Sequence, residues 1–522
     1  MLKRTICLAV ATTTCLLLLA NVSSAANGSA SVKLGYTFIS DTGSLGVNQE
    51  TYNAYEGFSL SVQNLRYAFT NGVTVGADLR NVTLNNRNMR AVIGKPGRFS
   101  VSFTNSQYRR VYAVDGSAFT RRRQTGFQAS YQPNRFFKFF GGYNLNDKQG
   151  ESALILDHTS DTVITSTDYR QTSYNVGGQI GDRYGVVRID YRHSLFDDRL
   201  SANADRRADR LSIAISSSIP RLKRVFLAGG YTYRKDTALV WESSLRTHEL
   251  WGALKASFSG GVLAEYRIIY DMTKHVGYLQ ETDNIAHTFA IGKNWGRSGG
   301  VQGGYEQRIA DDFTNKTSSN AFIGNVWYRP AQNWYFSARI SMRDKSVVEG
   351  ITLTGIESTV RNRFVVTYAD TSWGHIGLQW QSRSRTSDDL DSKIDYQSLS
   401  PDLSLKMKRY GRLDVTYSYT TGKFENMSTV AGYEFLDHLL TGTLYLPTWH
   451  NLSVDLGGTY YRSRRSQDLE KSRLNFGAMY TVHKEYHLQV RYNVFNYDNF
   501  RLNNSYYTGN IVEINFIKDI SF

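Results

Sequence analysis

Cysteine, proline and long apolar runs are all scarce in this chain of 522 residues. Its two cysteines, Cys7 and Cys15, lie close to the amino terminus. The remainder therefore has no disulfide, no thiolate metal site and no Cys-x-x-Cys-His sequence for covalent haem attachment. After the first 20 residues, no run approaches the ~18 apolar residues of a membrane-spanning helix. By contrast, 35 tyrosines, 26 phenylalanines and 43 glycines are present, with only 6 prolines.

The amino terminus has the pattern of a secretory signal peptide. Lys3 and Arg4 precede an apolar run over residues 6–20, which is followed by the small residues Ala25 and Ala26. The run is too short for a membrane anchor, and its basic start and small-residue end are typical of a cleaved leader. We therefore expect a signal peptide over residues 1–25 and an exported mature chain.

Alternating apolar and polar residues run through the mature chain from Val32 onwards. In the stretch NLSVDLGGTYYRSR, residues 451–464, Leu452, Val454 and Leu456 alternate with polar residues or glycine. Successive side chains of a strand point to opposite faces, so this period of two predicts strands with one apolar face. Pairs of such runs, joined by Gly, Pro, Asn or Asp, predict β-hairpins that recur about every 38 residues.

The connections between these runs are short at one end and longer and polar at the other. The longer ones cover residues 146–168, 194–209 and 383–395. Runs of about 10–13 residues with this asymmetry fit tilted membrane-crossing strands, periplasmic turns and extracellular loops. We therefore predict an all-β fold, a transmembrane antiparallel up-and-down β-barrel of about 26 strands, as a single domain over residues 26–522 in the bacterial outer membrane. The region 85–122 leaves room for one strand pair more or fewer.

Two soluble folds share part of this pattern. A β-propeller also repeats at about 40–45 residues, but it packs four short strands into each repeat, whereas each repeat here has two runs. A two-sheet sandwich requires a second core face and does not continue over so long a single domain. The pattern favours the membrane barrel over both.

Charged residues occupy a single phase of the alternation. In the run VVRIDYR, Val187 and Ile189 alternate with Arg188, Asp190 and Arg192. A charge on the lipid side costs roughly 2–4 kcal/mol at mid-depth, so the charged phase predicts the lumen side. The residues expected to face the lumen are Arg188, Asp190, Arg192, Glu265, Arg267, Arg339, Arg343, Asp414, Asp455 and Arg491. This slightly basic interior either only solvates the wall or provides an anion preference or a docking surface.

Aromatic residues flank the short turns, as in a girdle at the periplasmic interface. The residues expected in this girdle or facing lipid are Tyr131, Trp295, Trp334, Trp373, Tyr410, Trp449, Leu452, Val454 and Leu456. The chain ends in Phe522 after EINFIKDI, which resembles the terminal-strand signal read by the barrel-assembly machinery. That machinery is an expected partner, together with membrane lipid and lipopolysaccharide, toward which the basic residues 121–123 are a candidate contact.

Motifs for catalysis, metal binding and nucleic-acid binding are weak. GRSGG at 296–300 fits Gly-x-Ser-x-Gly, but it joins two strands, whereas a nucleophile elbow requires a strand-to-helix turn. His483 and His487 lie at a hairpin bend and not on a helix. The formal net charge is +15, yet the basic residues are scattered and an exported chain rarely meets nucleic acid. We therefore predict no enzymatic activity, no cofactor or metal bound by this chain and no nucleic-acid partner.

The predicted strand number implies a wide lumen. Barrels of 16–18 strands leave an aqueous channel and 22-stranded transporters hold a plug. Only a few residues separate Ala26 from Val32, and no predicted loop is long enough to close such a lumen. We therefore expect another protein to fill it.

The signal peptide, the count of about 26 strands and the lack of a plug resemble the MtrB/PioB-type barrels of outer-membrane porin–cytochrome electron conduits. This resemblance covers the whole mature chain and implies a barrel that sheathes and insulates a periplasmic multihaem c-type cytochrome. The haem would belong to that partner, and electrons would cross the outer membrane to extracellular acceptors. The alternative is a large general or anion-preferring porin for small solutes without a cytochrome partner. An adhesin barrel is a third class, which the short loops disfavour.

Overall fold

The computed structural model describes residues 27–43, 53–112, 118–155, 162–219, 224–276, 280–312, 315–350, 358–387, 392–407, 409–426, 431–465, 468–500 and 506–521. Within these ranges, 26 strands form one antiparallel sheet in which each strand pairs with its neighbours along the chain. The first and last strands also pair, with Ser29 opposite Ser521 and Gly43 opposite Tyr507, so the sheet closes. The prediction of an all-β barrel of about 26 strands is confirmed. The predicted signal peptide, residues 1–25, and Phe522 lie outside the described residues.

The strands are numbered in chain order. They are β1 (Asn27–Gly43), β2 (Gly57–Ala68), β3 (Thr74–Arg80), β4 (Asn88–Lys95), β5 (Phe99–Val111), β6 (Phe119–Tyr131), β7 (Phe137–Ile155), β8 (Thr162–Gly181), β9 (Gly185–Asp198), β10 (Arg206–Ser218), β11 (Val225–Ala238), β12 (Ser243–Ser257), β13 (Val262–Val276), β14 (Gln280–Asn294), β15 (Gly299–Asp312), β16 (Asn315–Tyr328), β17 (Trp334–Gly350), β18 (Ser358–Asp370), β19 (Gly374–Ser387), β20 (Ser392–Met407), β21 (Gly411–Asn426), β22 (Ala431–Tyr445), β23 (Leu452–Arg465), β24 (Leu469–His483), β25 (Tyr486–Asn499) and β26 (Tyr506–Ser521). Two short 3-10 turns, Ala202–Ala204 and Ser259–Gly261, lie between strands. No helix in the described part of the chain is long and apolar enough to cross a membrane.

The pairing register carries one apolar face continuously round the barrel. Leu34 of β1, for example, pairs with Leu60 on one side and with Phe516 on the other. Large apolar side chains on this face are exposed, among them Phe322 at 60% and Leu474 at 63%. An apolar surface of this extent is stable only when lipid covers it. The chain is therefore an outer-membrane barrel, as predicted.

A β-bulge keeps this face continuous within β2. The register shifts between Val62 and Leu65, and Asn64 has the positive φ of 53° that such a bulge requires. The extra residue moves the apolar phase from even to odd positions, so that Tyr67 shares a face with Val62. Without the bulge, every side chain beyond it would point to the opposite face.

The register also fixes the tilt and width of the barrel. Following paired residues once round the sheet from Val32 returns to β1 shifted by about 27 residues, which is the shear of the barrel. With a rise of about 3.3 Å per residue and a spacing of about 4.8 Å between strands, this shear gives a tilt of about 35°. The same quantities give a backbone diameter of roughly 50 Å. The lumen is therefore wide enough for a ligand much larger than a simple ion.

Several strands are longer than the sequence predicts. β7 has 19 residues and β8 has 20, and they include most of the expected loop 146–168. The expected loops 194–209 and 383–395 are likewise largely strand. These loop predictions are wrong because both faces of the extended part meet water, so the apolar period disappears while the backbone pairing continues. At the tilt above, β8 spans about 54 Å along the axis, twice the apolar band of about 25 Å.

A second aromatic girdle, absent from the sequence predictions, marks the upper edge of the apolar face. Each of three histidines there shares one hydrogen bond with a tyrosine hydroxyl. These histidines lie seven to nine residues above the periplasmic-turn end of their strands. That spacing corresponds to about 19–24 Å along the axis, close to the thickness of the apolar band. The pairs are Tyr231 with His248, Tyr266 with His287 and Tyr417 with His438, at 2.7, 2.8 and 2.7 Å.

Candidate lumen binding site

The residues predicted to face the lumen all lie on the face opposite the apolar one. The register places Arg188 opposite Ala214 and Asp190 opposite Ser212, in phase with each other and out of phase with Val187. The same alternation holds for the other predicted lumen residues in their strands. We assign this face to the lumen because charges on the lipid side are strongly unfavourable.

Some of these predicted residues come together and others have separate partners. Glu265, Arg267 and Arg339 line one pocket of about 420 Å³, together with Glu306. Arg343 donates to the Glu306 carboxylate at 2.9 Å. Glu306, which the sequence analysis does not predict as a lumen residue, therefore binds Arg343 and lines the same pocket as Arg339.

The remaining predicted residues are spread round the wall. Asp414 accepts from the Arg412 guanidinium at 2.9 Å. Asp455 packs against Gly477, where an added Cβ would lie 2.4 Å from its Oδ1. Arg491 lies directly opposite Glu513. These are local pairs and do not form one site.

A dense group of arginines covers the lumen face of β17, β18 and β19. It consists of Arg339, Arg361, Arg363, Arg383 and Arg385, and it is called the arginine cluster here. These residues line a pocket of about 570 Å³ that also includes neutral polar side chains from β19 and β20. None of the described residues that line this pocket is an aspartate or a glutamate.

Strand pairing places arginines of this cluster directly opposite one another. Arg339 pairs with Arg363 across β17 and β18, and Arg361 pairs with Arg383 across β18 and β19. Like charges in directly opposite positions destabilise a sheet. An arrangement that is unfavourable for folding and repeated in adjacent strand pairs points to a role in binding.

Neutral hydrogen-bond partners hold part of the cluster in place. Arg363 Nη2 donates to Gln379 Oε1 at 2.7 Å. Gln381 Nε2 donates to the Tyr396 hydroxyl at 2.9 Å, beside the guanidinium of Arg383. Because Gln379 is uncharged, it orients the Arg363 side chain without neutralising its positive charge.

A second row of arginines lies on the lumen face of β9, β10 and β11. Arg210 is directly opposite Arg192 on one side and Arg234 on the other. Arg234 has a carboxylate partner, Asp236, at 2.6 Å, and Arg210 Nε donates to the hydroxyl of Ser212 at 3.2 Å. Of these two basic regions, the arginine cluster is the one in which the described lining residues include no carboxylate.

Guanidinium groups determine what this face can bind. Arginine remains charged at every physiological pH and presents a planar fork of donors that matches carboxylate, phosphate and other paired oxygen acceptors. Several such forks around one pocket favour a ligand that carries more than one negative charge. The cluster thus has the chemistry that binding of a multivalent anion requires.

The sequence contains a signal for this cluster that is independent of the alternation of apolar and polar residues. The runs VRNRF and QSRSRTS each place two arginines two residues apart, on one face of a strand. They contain Arg361 with Arg363 and Arg383 with Arg385. Their proximity depends on the pairing register between β18 and β19, which hydrophobic periodicity alone does not define.

The predicted girdle residues lie at the short-turn end of the barrel. Trp334 begins β17, and Trp373 and Tyr410 immediately precede the first residues of β19 and β21. Tyr410 and Trp449 are 75% and 68% exposed. Their role as lipid anchors stays a prediction.

The histidines and carboxylates offer no metal centre in the described part of the chain. No group of three or more His, Cys, Asp or Glu side chains there is placed to hold a metal ion. His487, at the hairpin bend, contacts Thr481 Oγ1 and Asp519 Oδ2, both at 3.0 Å. The expectations of no cofactor and no enzymatic activity stay predictions.

No protein-family profile matches this sequence, and no curated protein matches it. Solved structures do match. The FrpB iron transporter of Neisseria meningitidis is 10% identical with a TM-score of 0.55, covering 96% of this chain and 82% of that chain. The siderophore receptor PirA of Pseudomonas aeruginosa is 13% identical with a TM-score of 0.51, covering 83% and 86%. A variant of the ferric enterobactin receptor PfeA from Pseudomonas aeruginosa is 10% identical with a TM-score of 0.51, covering 95% and 81%.

These similarities correct the functional predictions. The resemblance to MtrB/PioB-type conduits is wrong, because the matching barrels are iron transporters and siderophore receptors. The predictions of a multihaem cytochrome partner and of electron transport are wrong for the same reason. The alternative prediction of a general or anion-preferring porin is wrong as well. The error has a physical origin: strand number and closure define an architecture that serves several functions. At 10–13% identity, the similarity shows that this chain has the fold of these outer-membrane barrels.

Proposed function

We propose that this chain is an outer-membrane receptor barrel that binds an anionic metal chelate of the siderophore class in its lumen during uptake. The observation that carries the proposal is the arginine cluster on β17–β19. Support also comes from the fold shared with an iron transporter and with siderophore receptors.

The chemistry of the cluster fits this class of ligand. Ferric complexes of catecholate or carboxylate chelators present several anionic oxygens on a rigid framework. Arg339, Arg361 and Arg383 direct guanidinium donors into one pocket without a lining carboxylate to compete for them. Such charge-assisted hydrogen bonds are roughly twice as strong as neutral ones. Since the side chains are largely exposed, several must act together to give useful affinity.

The test is equilibrium binding to the purified barrel in detergent. Ferric enterobactin, an anionic tris-catecholate, is titrated against the protein, with a neutral ferric hydroxamate of similar size in parallel. We expect saturable binding of the anionic chelate. The triple variant Arg361→Gln/Arg363→Gln/Arg383→Gln should weaken that binding at least about tenfold, at roughly 0.5–1 kcal/mol per exposed charged contact.

Arg412→Gln is the matched control, because Arg412 is a lumen arginine outside the cluster with its own partner, Asp414. The control should bind like the unmodified protein. Uptake of radioactive iron by cells that carry each variant should follow the same order. Equal binding by the triple variant and the control, or no saturable binding of an anionic ferric chelate, would exclude the proposal.

A further inference from the structure

A groove on the outer, lipid-side surface combines several arginines with apolar residues. It has a volume of about 600 Å³ and lies across β4–β8, at the end of the short β3–β4 hairpin remote from the periplasmic turns. Arg87, Arg121, Arg123 and Arg170 line it, with Asp147 among them. This is the outer arginine groove, and it is separate from the lumen cluster.

The strand register places the groove on the outside of the barrel. Arg123 lies in phase with Phe127 and Tyr131 of the apolar face, since all three occupy odd positions of β6. Arg122, between Arg121 and Arg123, points to the other face and donates to Asn146 Oδ1 at 2.8 Å. The three consecutive arginines are therefore divided, with two in the outer groove and one facing the lumen.

The groove lies at the height of lipid headgroups. Phe103 and Phe127 are directly opposite each other on the apolar face, and they are 42% and 46% exposed. Arg123 is four residues further along β6 toward the extracellular end, which is about 11 Å higher along the barrel axis. Met89 and Phe103 form the lower lining of the groove, so acyl chains and a headgroup could be contacted together.

The groove has more positive than negative charge. Arg170 Nε donates to Asp147 Oδ1 at 2.8 Å, and this pair uses the one carboxylate in the lining. Arg87 Nε donates to the amide oxygen of Asn105, a neutral and buried residue, at 3.0 Å. Arg121 lies over the Phe119 ring at 5.2 Å. The register places Arg123 directly opposite Asp147, but neither Arg121 nor Arg123 forms an ion pair with that carboxylate, which Arg170 and Arg199 contact.

We propose that the outer arginine groove binds a phosphate group of lipopolysaccharide, the phosphorylated glycolipid of the outer leaflet. Arginine forks bind phosphate through paired, charge-assisted hydrogen bonds. The apolar residues immediately below would contact the acyl chains of the same molecule. A membrane lipid is favoured over free phosphate because the groove is continuous with the apolar face and opens onto the bilayer surface.

The test compares variants that remove neighbouring arginines from opposite faces of β6. Arg121→Gln/Arg123→Gln removes two outer arginines, whereas Arg122→Gln removes the neighbouring lumen arginine. Each purified protein is titrated with lipopolysaccharide in detergent, after heat-modified gel mobility has shown that the barrel is folded. We expect about a tenfold loss of affinity for the double variant, and no change for Arg122→Gln.

A third variant changes affinity in the opposite direction and keeps all four groove arginines. Asp147→Asn removes the carboxylate of the groove, so lipopolysaccharide should bind several-fold more tightly. Equal affinity for all variants would overturn the proposal, as would the same loss for Arg122→Gln. Dephosphorylated lipopolysaccharide, phosphatidylglycerol and inorganic phosphate are titrated in parallel. Unchanged binding after dephosphorylation, or equal binding of either other probe, would refute lipopolysaccharide phosphate as the ligand.

Discussion

Neutralising one arginine of the lumen cluster should stabilise this protein. Arg361 lies directly opposite Arg383, both side chains are exposed, and no carboxylate lines their pocket. The substitution Arg361→Gln removes this repulsion and the weaker ones from the arginines diagonal to it. Its polar side chain retains the ability to donate hydrogen bonds.

The size of the effect follows from distance and screening. Two guanidinium groups about 7 Å apart in water repel by about 0.6 kcal/mol before screening. At an ionic strength of about 0.02 M, most of this energy remains, whereas at about 1 M the Debye length is only about 3 Å and the repulsion vanishes. Including the diagonal neighbours, we expect Arg361→Gln to raise the free energy of unfolding by about 0.5–1 kcal/mol at low salt.

The assay is urea-induced unfolding in lipid vesicles at low and high salt. Arg412→Gln is the control, because it breaks a contact of 2.9 Å with Asp414 on the same face. That exposed contact is worth at most about 1 kcal/mol, so the control should be unchanged or slightly destabilised at low salt. The reasoning is refuted if both substitutions shift stability in the same direction, or if the gain from Arg361→Gln persists at high salt.

Three further predictions concern the wall itself. Phe322→Arg places a charge on the lipid face near mid-depth and should destabilise the barrel by roughly 2–4 kcal/mol in vesicle unfolding, whereas Ile323→Arg on the lumen face should cost much less. Gly374→Ala should cost roughly 1–3 kcal/mol by the same assay, because Gly374 has a φ of +128° and its new Cβ would lie 1.8 Å from a backbone oxygen. Equal stability to the native protein would contradict this. Tyr417→Phe removes the hydroxyl that contacts His438 and should lower the free energy of unfolding by about 0.5–1.5 kcal/mol. An unchanged free energy of unfolding would show that this contact does not stabilise the barrel.

The sequence predicts the fold well because the bilayer imposes a strict pattern. A charge on the apolar face is so unfavourable that the alternation Val187, Arg188, Ile189, Asp190 defines both faces of β9 without knowledge of its neighbours. Above the membrane this constraint ends. Both faces of β7 and β8 then meet water, so the sequence there has no apolar period. The strand pairing nevertheless continues as far as Ile155 and Thr162.

The candidate site could be predicted only in part. The alternation of apolar and polar residues predicts that Arg339 and Arg343 face the lumen. Arg361 and Arg383, by contrast, become neighbours only through the pairing register between β18 and β19. A slip of one residue would have moved one of them to the other face. Function was predicted least well, since strand count and signal peptide are shared by barrels that bind very different partners.

The long strands also affect how other molecules recognise this protein at the cell surface. Along β7 and β8, the part above the bilayer is a hydrogen-bonded sheet in which, for example, Glu151 of one strand lies opposite Ser166 of the other. An antibody or phage that binds this wall would contact side chains that are far apart in the sequence and that the strand pairing holds at fixed distances. Epitopes here should therefore be conformational, and immunisation with linear peptides from residues 146–155 or 162–170 should yield antibodies that bind the denatured chain far better than the intact cell.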